Sequence, residues 1–297
     1  MFLAPFLNLG GLRLGARIQI CGRVVVQIDG RRVEAGLPGR QGPLLLVYLA
    51  ANRDRPVSRD ELIEALWPDE LPPRPEAALS VLLSKLRGSL GPASVEGRSH
   101  LRLAMPEAWI DLEAAAMAIH RAESAVALGD WAGASGPARV ALHTASRGIL
   151  PGLDAPWIVE LRSRLEDIRL RALACVGASG LRIGGTELPA AERSGRAMVR
   201  LSPFREAGYG LLMEALAAQG NTAEALQVYD VLRCLLRDEL GTAPSVELQA
   251  LHQRLLGPTP GAAPGRAASV QRLAKVEERP VGEPPGADAR ARRAQWP

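Results

Sequence analysis

Residues 203–245 read PFREAGYGLLMEALAAQGNTAEALQVYDVLRCLLRDELGTAPS. Apolar side chains recur at helical spacing through Leu211, Leu212, Ala215 and Leu216, and Gly220-Asn221-Thr222 breaks the pattern. A second helical run follows through Ala225, Leu226, Tyr229 and Leu232. Two helices joined by so short a break fold back on one another as an antiparallel pair. Such a pair is the unit of a stacked array, and arrays of that kind bind partners rather than carry out chemistry. Pro203 is expected to start the first helix, with Arg205 and Glu206 in its first turn. Tyr229 is expected to fill an aromatic slot between helices, and Gly241 to give a left-handed stop ahead of Pro244. An ion pair of Arg205 with Glu206 or Glu239 is expected to fix the packing.

Outward from this pair the same break recurs. Gly-x-x-x-x-Ala stands at Gly129 to Ala134, Gly185 to Ala190 and Gly220 to Ala225. The glycine lets the chain turn, and the small alanine lets one helix back onto its neighbour. The last two breaks lie close to the roughly 34-residue tetratricopeptide period. The first is spaced more widely, so extra structure is expected around Leu150-Pro151-Gly152 to Pro156-Trp157. From Asp111 to about Leu256 the pattern is helical nearly throughout.

The front of the chain has a different character. Ile18, Ile20, Val24, Val26 and Ile28 alternate with other residues, and Asp29-Gly30 is a strong hairpin signal. Three helices should follow. The first spans about 39–52, and the second opens on the capping box formed by Ser58 and Glu61 and stops at Trp67. The third follows Pro72-Pro73-Arg74-Pro75 and covers 76–90, ending at Gly91-Pro92. Residues 99–103 then alternate as a short strand. Strands, three helices and a β-ribbon are the element order of a winged helix-turn-helix, whose third helix fits the major groove of DNA. In that helix Leu79, Leu82 (or Leu83), Leu86 and Leu90 form the core stripe. Ser80, Ser84, Lys85 and Arg87 remain as polar candidates for base edges or phosphates.

The fold class expected is therefore mainly α: an N-terminal winged helix-turn-helix (α+β), then an all-α tetratricopeptide-like helical-repeat domain. The divisions are an extension at 1–14, the winged helix at 15–108, the helical domain at 109–257, and a disordered basic Pro/Gly/Ala/Arg tail at 258–297 that carries Arg290, Arg292 and Arg293.

Composition agrees with this division. The 297 residues have room for about two domains. With 47% hydrophobic but only 4% aromatic residues, the cores must be built from Leu, Ala and Val, which favours helices. Residues 1–110 carry 14 basic and 11 acidic side chains, and residues 111–257 carry 15 and 17. A mildly basic front and a mildly acidic middle suit a nucleic-acid module joined to a protein-binding one. Cys21, Cys175 and Cys234 are too scattered for a zinc site and read as buried thiols in a reducing cytoplasm. No run approaches the roughly 20 apolar residues of a membrane span, and a cytoplasmic, nucleoid-associated protein with no membrane partner is expected. No phosphate-binding GxxxxGK[ST] loop, HExxH or GxSxG is present, and His100, His120, His143 and His252 are dispersed. Glu166 and Asp167 occupy consecutive helical positions and point apart, which is no acid–base pair. No enzyme, metal or cofactor is expected.

Two sets of residues carry a family resemblance. Asn52 and Pro56 to Trp67, followed by Ala78 to Val81 and Ser84 to Leu90, resemble the OmpR-type winged helix, the effector domain of phosphorelay regulators. Asp111, Gly129-Asp130, Leu150-Pro151-Gly152, Trp157, the helix 160–174, Pro203 to Glu206 and Asp238 to Gly241 with Pro244 resemble the bacterial transcriptional activator domain. The two together resemble regulators of the Streptomyces antibiotic regulatory protein (SARP) type. The resemblance implies a transcriptional activator whose third helix reads the major groove, with the wing near the minor groove. It also implies a homodimer on direct repeats in a promoter, and recruitment of RNA polymerase through its sigma or alpha subunit by the helical domain. The DNA contacts expected are Arg40, Arg59, Arg74, Ser80, Ser84, Lys85, Arg87 and Arg102. Departures from the family pattern are Leu82, where polar readers are common, and a wing reading Ser99-His100-Leu101-Arg102-Leu103 in place of Gly-Tyr-x-Leu. A scaffold or signalling adaptor with a degenerate, non-DNA-binding winged helix is the alternative reading.

Overall fold

The computed structural model describes residues 15–257. The expected 1–14 extension, and the expected disordered tail with Arg290, Arg292 and Arg293, lie outside the described residues.

The chain opens with β1 (Arg17–Gln19), β2 (Val25–Ile28) and β3 (Arg31–Arg32). Asp29 and Gly30 both take positive φ, at 49° and 81°, so the hairpin between β2 and β3 closes on the two left-handed residues that the Asp-Gly signal demands. Three helices follow: α1 (Gln41–Ala51), α2 (Arg59–Leu66) and α3 (Pro75–Leu90). Ser58 Oγ accepts from the Glu61 backbone N–H at 3.1 Å and caps α2. Pro75 is the first residue of α3, where a missing N–H costs nothing. A short strand ahead of α2, β4 (Val57–Ser58), pairs with β6 (His100–Leu103), which pairs in turn with β5 (Val95–Glu96). The expected strand over 99–103 is thus the middle of a three-stranded ribbon.

The helical part begins after β7 (Trp109–Ile110) and runs through α4 (Asp111–Ala127), α5 (Trp131–Ala145), α6 (Pro156–Ile183), α7 (Leu188–Leu201), α8 (Glu206–Ala218), α9 (Thr222–Leu240) and α10 (Val246–Leu256). Each helix from α4 to α9 packs on the next. At all three glycine breaks φ is positive, and Ala134, Ala190 and Ala225 are all buried. The wide first spacing comes from the 28-residue α6 and the connection ahead of it. Helix contacts are close enough that a Cβ on Gly195 would meet the Leu212 backbone at 2.8 Å.

Several local expectations are corrected. Pro203 is exposed in a turn, and α8 starts three residues later at Glu206, with Arg205 at its N-cap. Among the described residues Arg205 makes no ion pair. Glu206 instead accepts from the Ser245 backbone N–H at 2.8 Å, which ties the start of α8 to the segment leading into α10. A carboxylate at a helix start gains more from a free N–H than from an exposed guanidinium on its neighbour. Tyr229 is buried as expected and stacks on His252 with ring centroids 4.0 Å apart. Gly241 closes α9 in the left-handed conformation, with Thr242 N–H reaching back to the Leu236 carbonyl. Cys21 and Cys175 are buried thiols, but Cys234 is half-buried.

The two parts share one core. A single buried cluster runs from Ile18 and Ile20 through the winged-helix leucines to Ile119, Ile158, Leu165 and Ala190. A second, smaller cluster holds α8, α9 and α10 together around Met213, Leu216 and Leu232. The first core is continuous because β1 pairs in parallel with β7, the strand that leads into α4. Asp111, the first residue of α4, is only 1% exposed. Its carboxylate accepts from the backbone N–H groups of Ile20 at 2.8 Å and Cys21 at 3.1 Å. Burial pushes this carboxyl above the usual carboxylate range, while the two N–H donors and the Arg147 guanidinium at 4.0 Å pull it back. Gly22 extends the same seam by donating to the Gly148 carbonyl at 2.7 Å. On the far side, Trp157 of α6 donates to the Ala65 carbonyl at 2.9 Å and meets Tyr48 edge-on, with centroids 5.0 Å apart.

Asp111→Ala leaves two buried N–H groups without an acceptor and should lower stability by about 2–4 kcal/mol. In urea, both parts should still unfold in one transition at the lower midpoint; separate transitions for the two would refute the shared core. Glu61 offers a test in acid. It accepts from Arg55 at 2.5 Å and from the Tyr48 hydroxyl at 2.6 Å, and these bonds, Arg55 first, hold its carboxyl below the ordinary glutamate value of 4.5. The stability it adds is full above that value and is lost as the pH falls through the lower folded value. The gap between wild type and Glu61→Gln in thermal melts should therefore be present at neutral pH and shrink below pH 4.5.

Candidate nucleic-acid interface

The side chains singled out in the sequence fall into two groups once folded. In α3 the buried face is Leu79, Leu83, Leu86 and Leu90. Leu82 is half-buried and packs against the core edge, so Leu83 is the central core residue of the stripe. The opposite face carries Ala77, Ser80, Val81, Ser84, Lys85 and Gly88, all exposed and at the three- and four-residue steps of one helical stripe.

Four of the expected contact residues are engaged within the protein. Arg59, at the start of α2, donates to the Glu76 carboxylate at 2.7 Å, to the Glu76 carbonyl at 3.2 Å and to Ser80 Oγ at 2.9 Å. Ser80 itself donates to the Glu76 carbonyl at 2.8 Å. Arg87 donates to the Val95 carbonyl at 3.0 Å and the Gly97 carbonyl at 3.3 Å. Arg102 pairs with Glu96 at 3.3 Å across the β5–β6 ribbon, where the two stand in register. These bonds fix α2 against α3 and α3 against the wing. The fifth, Arg40, precedes α1 and lines a groove with Trp67, Asp69, Glu70 and Asp154. Among the described residues, none of the α3 stripe lines that groove.

Arg74, Ser84 and Lys85 are exposed and have no side-chain partner among the described residues. Arg74 holds the N-terminal end of α3, and Ser84 and Lys85 its middle. Arg98, which the sequence did not single out, is exposed at the tip of the wing and has no side-chain partner among the described residues. The tip turns at Gly97, whose φ of 92° and whose position leave no room for a side chain: a Cβ would lie 1.7 Å from the His100 carbonyl oxygen. A Gly-Arg-Ser run between two short strands was the available signal, obscured because β5 has only two residues. Since Arg87 bonds to Gly97, the last turn of α3 and the cationic tip are neighbours.

An exposed α3 stripe beside a cationic β-ribbon, built on a body of stacked helix pairs, defines a winged-helix protein with a helical-repeat platform. Comparison with known proteins places it further. Residues 110–256 match the bacterial transcriptional activator domain, and residues 40–100 match the family described as transcriptional regulatory protein, C terminal. Regulatory protein AfsR of Streptomyces coelicolor is 34% identical over 264 residues, covering 88% of this chain and 26% of that protein. Transcriptional regulatory protein EmbR of Mycobacterium tuberculosis is 28% identical over 249 residues, covering 81% of this chain and 63% of EmbR. A solved structure of M. tuberculosis EmbR in complex with a low-affinity phosphopeptide superposes with a TM-score of 0.70 at 27% identity, covering 82% of this chain and 66% of that one. The chain belongs to the SARP/AfsR-type regulators, with a winged helix followed by a bacterial transcriptional activator domain. It spans about a quarter of the length of the AfsR proteins it matches.

Arg87 joins the last turn of α3 to the wing through its two carbonyl bonds. Removing it as Arg87→Ala should free the wing while leaving the core intact. Amide exchange at Glu96, Gly97 and Arg98 should quicken severalfold, and that within α1 should not change. Equal exchange in variant and wild type would show that the two carbonyl bonds do not hold the wing.

Proposed function

We propose that the chain is a DNA-binding transcriptional activator that holds promoter direct repeats through α3 and the wing, as a homodimer, and recruits RNA polymerase through its helical domain. The observation that carries the proposal is the set of free cations, Lys85 on the exposed stripe, Arg74 at its start and Arg98 at the wing tip, on one module of a SARP/AfsR-type fold. Phosphate contacts by such side chains position a protein on DNA, and base edges then give specificity. The other expected contacts serve a different purpose in this reading: Arg59, Ser80, Arg87 and Arg102 hold the reading elements in place. Activation then needs no covalent step. Two subunits side by side on a repeat present helical surface to the polymerase, and contact with its sigma or alpha subunit raises occupancy of the promoter. A cytoplasmic, nucleoid-associated location follows from that role. No helix among the described residues is long and apolar enough to cross a membrane.

The adaptor reading has one observation in its favour, the internal engagement of Arg59, Arg87 and Arg102. Titrating the purified chain with duplexes from its own upstream region across a salt series separates the two. The regulator should retain a specific duplex with a steep fall of log K against log salt. Lys85→Ala should remain folded, bind more weakly to all duplexes and lower the salt slope by about 1. Indifference to DNA at low salt would leave the adaptor.

A further inference from the structure

The two ends of the helical stack are finished differently. At the far end α10 buries Leu248 and Leu251 and turns Glu247, Gln249, Gln253 and Arg254 to solvent, as the closing unit of a repeat array should. At the near end, α4 and α5 meet the rest of the array on one side. There Glu123 pairs with Arg171, the Arg182 guanidinium lies over the Trp131 ring, and Arg139 pairs with Glu187. The opposite side of the same two helices carries Met117, Arg121 and Leu128 on α4, and Gly133, Gly136 and Val140 on α5, all exposed. Met117 is 61% exposed and Val140 55%. Leu128, at 85%, is the most exposed large apolar side chain among the described residues. The winged helix meets α4 near its start, at Asp111 and Glu113.

Three apolar side chains on one face differ from single ones scattered over a surface, because one partner can take water off all of them together. Gly136 is a second sign. A Cβ there would meet nothing within 4 Å, so the chain's own packing does not require glycine, which weakens a helix relative to alanine. A second helix pair laid across the face would require it. The charges of the face are few and opposite. Arg121 has no side-chain partner among the described residues. The Asp130 carboxylate caps α5 by accepting from the Gly133 N–H at 2.8 Å and pairs with no cation there. The turn at Gly129 puts Leu128 and Asp130 at one end of the face. Val140 and Met117 stand at the other end, roughly 15 Å away at the helical rise per residue. We propose that this face docks a second copy of the chain about a two-fold axis. Leu128 of each copy then seats between Met117 and Val140 of the other, the helices approach closely at Gly136, and Arg121 of each pairs with Asp130 of the other. Helices of 17 and 15 residues side by side offer about 500 Å² per copy. The pair buries about 1,000 Å², which suits a reversible dimer in the micromolar range rather than a permanent one. A two-fold pair points its winged helices in opposite senses. This contact is therefore distinct from the side-by-side arrangement on direct repeats proposed above, and it needs no DNA.

Sedimentation velocity on the full chain, from low to high micromolar and without DNA, tests it. Wild type should pass from monomer to dimer across that range. Val140→Asp, at an exposed position, should keep its circular dichroism and stay monomeric. Arg121→Asp leaves acidic groups alone on the face, and Asp130→Lys leaves basic ones. Each should weaken self-association about tenfold or more. An equimolar mixture of the two should dimerise as wild type does, because each then faces the opposite charge. Asp130→Lys also removes the cap of α5; Asp130→Ser keeps a capping oxygen and should still weaken the pair. A monomer at every concentration would leave the face to another partner and overturn the self-docking. So would a wild-type dimer that Val140→Asp and Arg121→Asp leave intact. Either result leaves the DNA-binding reading standing.

Discussion

The Asp111 carboxylate sets the geometry on which the remainder of the fold depends. It stands at the first residue of α4 and accepts from two backbone N–H groups that belong to the start of the winged helix, some ninety residues earlier. A buried acceptor with two strong donors is costly to break, since separation leaves charge and amides unpaired in an apolar setting. The parallel pairing of β1 with β7 and the Gly22 to Gly148 bond lie along the same seam. Trp157 fastens the opposite side by its bond to Ala65 and its edge-on contact with Tyr48. The winged helix is therefore held at several places on the helical body, the Arg53 pair with Glu113 of α4 among them. Its core continues into that body without a gap.

This fusion bears on how a protein of this class would work. A reader helix on a flexible tether can reach a site in many orientations, and a partner surface behind it carries no fixed direction. Here α3 packs on α1 and α2, and those pack on a core shared with α4 and α6. Whatever surface the helical array presents then stands at a set angle to whatever α3 touches. On the proposed reading, rigid coupling of that kind would let the spacing and direction of repeats in DNA select which faces of neighbouring copies meet.

Much of this was legible in the sequence, for physical reasons that differ by element. The glycine breaks at Gly129, Gly185 and Gly220 could be read because a left-handed turn admits few residues and a close helix contact needs a small one beside it. The Asp29-Gly30 hairpin, the Ser58 cap and the Gly241 stop are local rules and fell where those rules put them. The Asp111 clasp was not legible, although the residue itself stood out, because its partners are amides with no side-chain signature. The start of α8 was misplaced because Pro203 is permitted both in a helical first turn and in the turn before it. The wing partner β5 escaped because two residues carry no periodicity. The contact residues were the least legible part. Arginine in α2, α3 or a wing looks the same in sequence whether it faces phosphate or a neighbouring carbonyl, and only the fold shows that Arg59, Arg87 and Arg102 have partners.

That sorting changes what the third helix must rely on. If internally bonded arginines were counted as readers, α3 and the wing would present a dense cationic surface with strong but indiscriminate attraction to any polyanion. With them bonded to Glu76, Val95, Gly97 and Glu96, the cations without a partner among the described residues are sparse: Arg74 at the start of α3, Lys85 on its exposed stripe and Arg98 at the wing tip. Sparse cations lower non-specific affinity more than specific affinity, because a specific complex adds base contacts that a non-specific one lacks.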